Sequence, residues 1–124
     1  MTLSNDPADV VQRQLDAFNA RDLEALLATY ADDAEVFEHP SKLLAKGSAA
    51  LRERYTARFQ EPNLYAALLS RAVMGQIVVD HEDVRRTFPE GAGKIQLLMI
   101  YEVRNGKIGK AWSIAGARTM DITP

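Results

Sequence analysis

KIQLLMIYEVRNGKIGKAW, residues 94–112 of a 124-residue chain, reads as two strands joined by a two-residue turn. Asn105-Gly106 is the dipeptide that supplies positive φ at both central positions of a type I′ hairpin with least strain. The strand before it, Lys94 to Arg104, is apolar on both faces at Leu97, Leu98, Met99 and Ile100, so both sides of its sheet must be covered. Moving toward the N-terminus, Tyr65 to Met74 and Gln76 to Phe88 are two more long β segments, with Gly75 and the PEGAG stretch as turns. A fourth strand follows Gly106. Before Pro62 the period becomes helical. Asp6 and Pro7 open a helix carrying Val11, Leu15 and Phe18 that ends near Asn19. Asp22 opens a second, with Leu23, Leu26, Leu27 and Tyr30 on one stripe, running out at Asp32-Asp33. AEVFEHP, residues 34–40, is a short strand closed by Pro40. Ser48 caps a third helix bearing Leu51, Tyr55 and Phe59 and stopped at Glu61-Pro62-Asn63. The pattern predicts one α+β domain over residues 1–124: a cone-shaped roll with three N-terminal helices packed on a strongly curved, mostly antiparallel sheet. Such a roll leaves a hollow under the helices, and a second copy of the chain is expected to cover the outer sheet face as a homodimer.

Composition narrows the partners. Fifteen basic and 17 acidic residues give a net charge of −2, and there is no cysteine. Thiolate and disulfide chemistry are excluded, and no basic footprint for nucleic acid or an anionic membrane exists. No apolar run approaches the ~20 residues of a membrane span. The first nine residues carry Asp6 and Asp9 and lack a basic and then apolar leader pattern, so a cytoplasmic location is expected. No cofactor is expected either: GAGK, residues 91–94, lacks the following Ser or Thr of a phosphate loop and joins strand to strand. A GxSxG serine elbow is also missing.

VVQRQLDAFNARDLEALLATYADDAEVFEHP together with YEVRNGKIGKAW resembles the nuclear transport factor 2-like superfamily over nearly the whole chain. YADDAEVFEHP followed by GSAALRERY is similar to its ketosteroid isomerase branch and to the SnoaL-like polyketide cyclases and dehydratases. The resemblance implies a carboxylate base just before the proline of the first strand, opposite a tyrosine and a protonated aspartic acid in an apolar pocket. The position of the base matches His39, with Glu38 beside it. The oxyanion tyrosine of helix one matches Gln14, the buried aspartic acid matches Ile100, and a supporting tyrosine is kept at Tyr55. Without either oxyanion donor, steroid isomerisation itself is not expected. What the resemblance leaves is a container for an apolar or amphipathic small molecule. His39 would serve as base, with Tyr55 as donor, for an isomerisation, dehydration or cyclisation.

Several residues have two readings. Alternation puts Glu35, Phe37 and His39 on one side of the first strand and Val36 and Glu38 on the other, so His39 and Glu38 cannot both face the hollow unless a bulge intervenes. Phe18, Tyr30 and Phe37 could line the cone, and Trp112 and Tyr101 beside the terminal hairpin could stack on a flat ligand, or all could simply pack. Arg71 is expected to snorkel at an edge, the other reading being a substrate carboxylate. His81 could pair with His39 in dehydratase-like acid–base work. A metal site built from them with Asp80 or Asp83 lacks ligand spacing, and no metal is expected. The alternative to an enzyme is a non-catalytic binding or dimerisation domain whose cavity is filled by side chains.

Overall fold

The computed structural model describes residues 3–121. Helix α1 (Pro7–Ala20) starts behind Asp6 with Pro7 in its first turn, and buries Val10, Val11, Gln14, Leu15 and Ala17 on one stripe. Arg21, at φ 56°, reverses the chain, and the Asp22 carboxylate accepts a hydrogen bond from the Ala25 N–H at 3.1 Å to start α2 (Leu23–Leu27). That helix is shorter than its apolar stripe suggested. Tyr30 does not extend it but opens β1 (Tyr30–Glu38), where it pairs with Ile108 of the last strand. Ladder pairing wins over helical spacing here. A second strand, β2 (Lys42–Lys46), was not foreseen and forms a hairpin with β1. Helix α3 (Ser48–Arg58) begins after Gly47, whose φ of 85° favours glycine, and the Ser48 hydroxyl donates to the Asp32 carbonyl at 3.4 Å.

Strands β3 (Tyr65–Met74), β4 (Ile77–Phe88), β5 (Gly91–Arg104) and β6 (Lys107–Met120) match the long β segments closely. Asn105 and Gly106 take φ 52° and 74°, as the hairpin turn requires. The sheet order is β2-β1-β6-β5-β4-β3, antiparallel throughout except for the parallel β1–β6 pair. Register irregularities at Val36/Phe37, Leu68/Ser70 and Ile95/Leu97 accompany its curvature. Three helices pack on this curved, six-stranded open sheet, giving the expected α+β roll.

Register sorts the two faces. Leu43, Phe37, Trp112, Ile100, Val79 and Ala72 are paired neighbours in one row across the outer face. One residue along, Glu38, Ser113, Met99, Asp80 and Arg71 form a row on the concave face. The next concave row holds Ala115, Leu97, Glu82 and Leu68. Leu26, Leu51, Ile108, Val10, Val11 and Val78 are fully buried between helices and sheet. No helix among the described residues is long and apolar enough to cross a membrane.

Candidate active site

The concave face and the helices enclose a cavity of about 250 Å³. It is therefore open rather than filled, and lies just under the usual ligand-pocket range of about 300–1,000 Å³, so its occupant must be small. Helix α1 contributes Gln14, Leu15 and Phe18; α3 contributes Arg54, Tyr55 and Arg58; the sheet contributes an apolar wall including Val36, Val84, Ile95, Leu97 and Met99. Polar groups break this wall at Glu38, Glu82, Arg86, Tyr101 and Ser113.

A donor chain lies at its buried end. The Tyr101 hydroxyl donates to Gln14 Oε1 at 3.4 Å, and Gln14 Nε2 donates to the Tyr30 hydroxyl at 3.4 Å. The Tyr30 hydroxyl shares a further hydrogen bond with the Tyr55 hydroxyl 3.2 Å away, in which either oxygen can donate. The second Gln14 amide hydrogen is left for a ligand oxygen, and when Tyr30 donates to Tyr55 the Tyr55 hydrogen is as well. Burial raises Tyr30 and Tyr101 well above the ordinary tyrosine value, so both stay neutral donors.

Glu82 is the unusual group. Only 5% exposed, it lines the cavity, and no hydrogen bond to its carboxyl occurs among the described residues. Burial, reinforced by the charge of Asp80 and opposed by Arg71, pushes it up to about 7. Asp80, fully buried one position away on the same face, is neutralised by Arg71 through two hydrogen bonds of 2.7 and 2.9 Å. Arg71 also donates to Gln12 Oε1 at 2.8 Å. At the cavity's other side, Arg86 forms a two-pronged pair with Glu61, both bonds 2.8 Å. Burial would raise the Glu61 carboxyl, but Arg86, the Thr87 N–H and Arg58 hold it below the ordinary glutamate value.

A family model for SnoaL-like domains matches residues 11–110. The chain belongs to the SnoaL-like domain family. Solved structures share its fold at low identity. An uncharacterised cystatin-fold protein of Novosphingobium aromaticivorans superposes with a TM-score of 0.80 at 20% identity, covering 91% of this chain and 99% of its own. A proposed polyketide cyclase of Sinorhizobium meliloti gives 0.71 at 24% identity, covering 85% and 93%. A proposed ketosteroid isomerase of Kribbella flavida gives 0.74 at 16% identity, covering 100% and 87%.

In this SnoaL-like domain the residues expected at the site divide by strand parity. Gln14, Phe18, Glu38 and Tyr55 line the cavity. Tyr30 stands behind them, bonded to Gln14 and Tyr55. His39 does not line the cavity: it is exposed, and its backbone N–H donates to the Ser113 carbonyl at 2.8 Å. The strand alternates with Val36 and Glu38 inward, which carries the imidazole past the rim. Phe37 and Trp112 are also on the outer face, where their rings stack at 5.8 Å and 15°. Ile100 belongs to the same outer row, because Leu97, Met99 and Tyr101 are the inward residues of β5, and the count placing it in the site is off by one. Arg71 does not snorkel; although on the edge strand, its head turns inward to Asp80. His81 occupies the face of β4 opposite Glu82 and bonds Gln96 at 3.3 Å, so it forms no cavity pair with His39. Tyr101 does line the cavity, there as a hydrogen-bond donor to Gln14, whereas Glu82, Arg54, Arg58 and Arg86 are site residues that the sequence reading does not contain. The available signal was the alternation Val78, Asp80, Glu82, Val84, which puts two acids on the buried side of a strand.

Proposed function

We propose that the cavity binds a small carbonyl compound and moves a proton on its carbon skeleton, with Glu82 as the group that takes and returns that proton. The observation that carries this reading is a buried, unpartnered carboxyl facing an open cavity, and that burial pushes its ionisation up to about 7. Near neutrality it is present in both forms, which suits a group that must act as base and then as acid. The carboxylate removes a proton from the carbon next to the carbonyl. The C–H electron pair becomes the C=C bond of an enolate and the carbonyl π pair moves onto oxygen. The free hydrogens of Tyr55 and Gln14 are available to hydrogen-bond that oxygen. Glu82 then gives the proton back, to the same carbon in exchange or to the γ-carbon of an unsaturated substrate in isomerisation. Glu38 at the rim is a second carboxylate available to the same ligand. The SnoaL-like family and its neighbours named as cyclase and isomerase support this class of chemistry.

The test is deuterium uptake from D₂O into the α-position of small ketones, followed by proton NMR. The protein should accelerate uptake, Glu82→Gln should reduce the acceleration at least about 100-fold, and His39→Gln should leave it unchanged. Undiminished exchange in Glu82→Gln contradicts the assignment, and loss of exchange in His39→Gln would return the role to the imidazole.

A further inference from the structure

We infer that the ligand of this cavity carries a carboxylate, seated by Arg54 and Arg58, with the rest of the molecule extending over the apolar wall toward Glu82. Three arginines line the cavity, and they are not equally engaged. Arg86 is committed to Glu61 through two short bonds, whereas Arg58 reaches the same carboxylate at only 3.5 Å. Arg54 has no ion pair or hydrogen bond among the described residues. Arg54 and Arg58 are four residues apart on α3, which places them on one side of the helix, flanking Tyr55. Burial, then the charges of Arg86 and Arg54, push the Arg58 guanidinium down to about 10, so its cation is crowded and poorly solvated. One carboxylate, Glu61, is shared between two of the three cations, and a ligand anion would relieve the remainder. The independent second feature is Glu82: a buried carboxyl with no partner, lining the same cavity. Being partly protonated around neutrality, it repels an incoming anion less than a fully ionised carboxylate would.

Carboxylate fits better than phosphate. The lining is mainly apolar, the volume is small, and the two loosely engaged guanidiniums, one of them already sharing Glu61, suit the single charge of a carboxylate better than the nearly double charge of a phosphate. The class of ligand is thus a small oxo acid. The carboxylate half stands on the arginines alone; the oxo half rests on the proton-transfer reading above.

The probes are 4-acetylbenzoate, its neutral amide 4-acetylbenzamide, and inorganic phosphate, with binding to the intact protein measured by calorimetry. The acid should bind about tenfold or more tightly than the amide. That preference should shrink in Arg54→Gln and disappear in Arg54→Gln/Arg58→Gln, and Arg58→Lys should restore part of it relative to Arg58→Gln. Arg54 is only partly buried, so its single variant remains informative if the double variant does not fold. Equal affinity for acid and amide, an unaltered preference in Arg54→Gln, no binding of either compound at millimolar concentration, or phosphate binding as tightly as the acid would each overturn the proposal. Binding and exchange measured together separate the two readings: acid preference retained in Glu82→Gln with exchange lost supports both, and no acid preference in the wild type with exchange intact removes this one alone.

Discussion

Glu82 makes a stability statement as well as a chemical one. In an unfolded chain it would ionise at the ordinary glutamate value of 4.5, whereas in the fold it does so at about 7. The folded state therefore holds this proton more tightly than the unfolded one. The residue costs nothing below the unfolded value, costs progressively more as pH rises through this interval, and the cost levels off above the folded value. At about 1.4 kcal/mol per pH unit, the penalty over this interval amounts to about 3 to 4 kcal/mol. Glu82→Gln removes it, so urea unfolding should show the variant gaining on the wild type between about pH 4.5 and 7.5, by up to about 3 to 4 kcal/mol, with no further gain above. A gap that stays constant across that range contradicts the shift. His39, by contrast, is exposed, and a base out in solvent has none of the dry surroundings that make Glu82 unusual.

Strands and helices were legible to different depths. The long strands announced themselves through period-two patterning and the Asn105-Gly106 turn, and α1 through its Asp6-Pro7 start, because these signals are local. Tyr30 and β2 were not legible, since both are decided by pairing with residues far along the chain, Ile108 for Tyr30 and the β1 segment for β2. The site suffered from parity. A shift of one residue exchanges the two sheet faces, which is why sequence alone puts Ile100 and Phe37 inward and leaves Glu82 out of the site. The DHED stretch looked polar as a whole, yet alternation sends Asp80 and Glu82 inward and His81 and Asp83 outward. The outer row of Phe37, Trp112, Ile100 and Val79, with Leu98 39% exposed beside it, is an apolar face that a second copy of the chain would cover. Sedimentation should show a wild-type dimer, and Leu98→Lys/Ile100→Lys should shift it to monomer. A monomeric wild type contradicts that arrangement.

Viewed together, helices and sheet create an environment that none of the segments has alone. The sheet curls, α1 and α3 roof the concave face, and the space left is small, mostly apolar, and lined by members of the donor chain, three arginines, Glu38 at the rim and the unpartnered carboxyl of Glu82. The amino-acid composition is ordinary; the chemistry arises because folding strips water from one glutamate without giving it a partner. Titrating the side-chain carboxyl carbon of Glu82 by NMR in the native protein measures this directly. A midpoint near 7 is the predicted result, and a midpoint near the ordinary glutamate value of 4.5 would show a solvated carboxylate and contradict the proposed acid–base role.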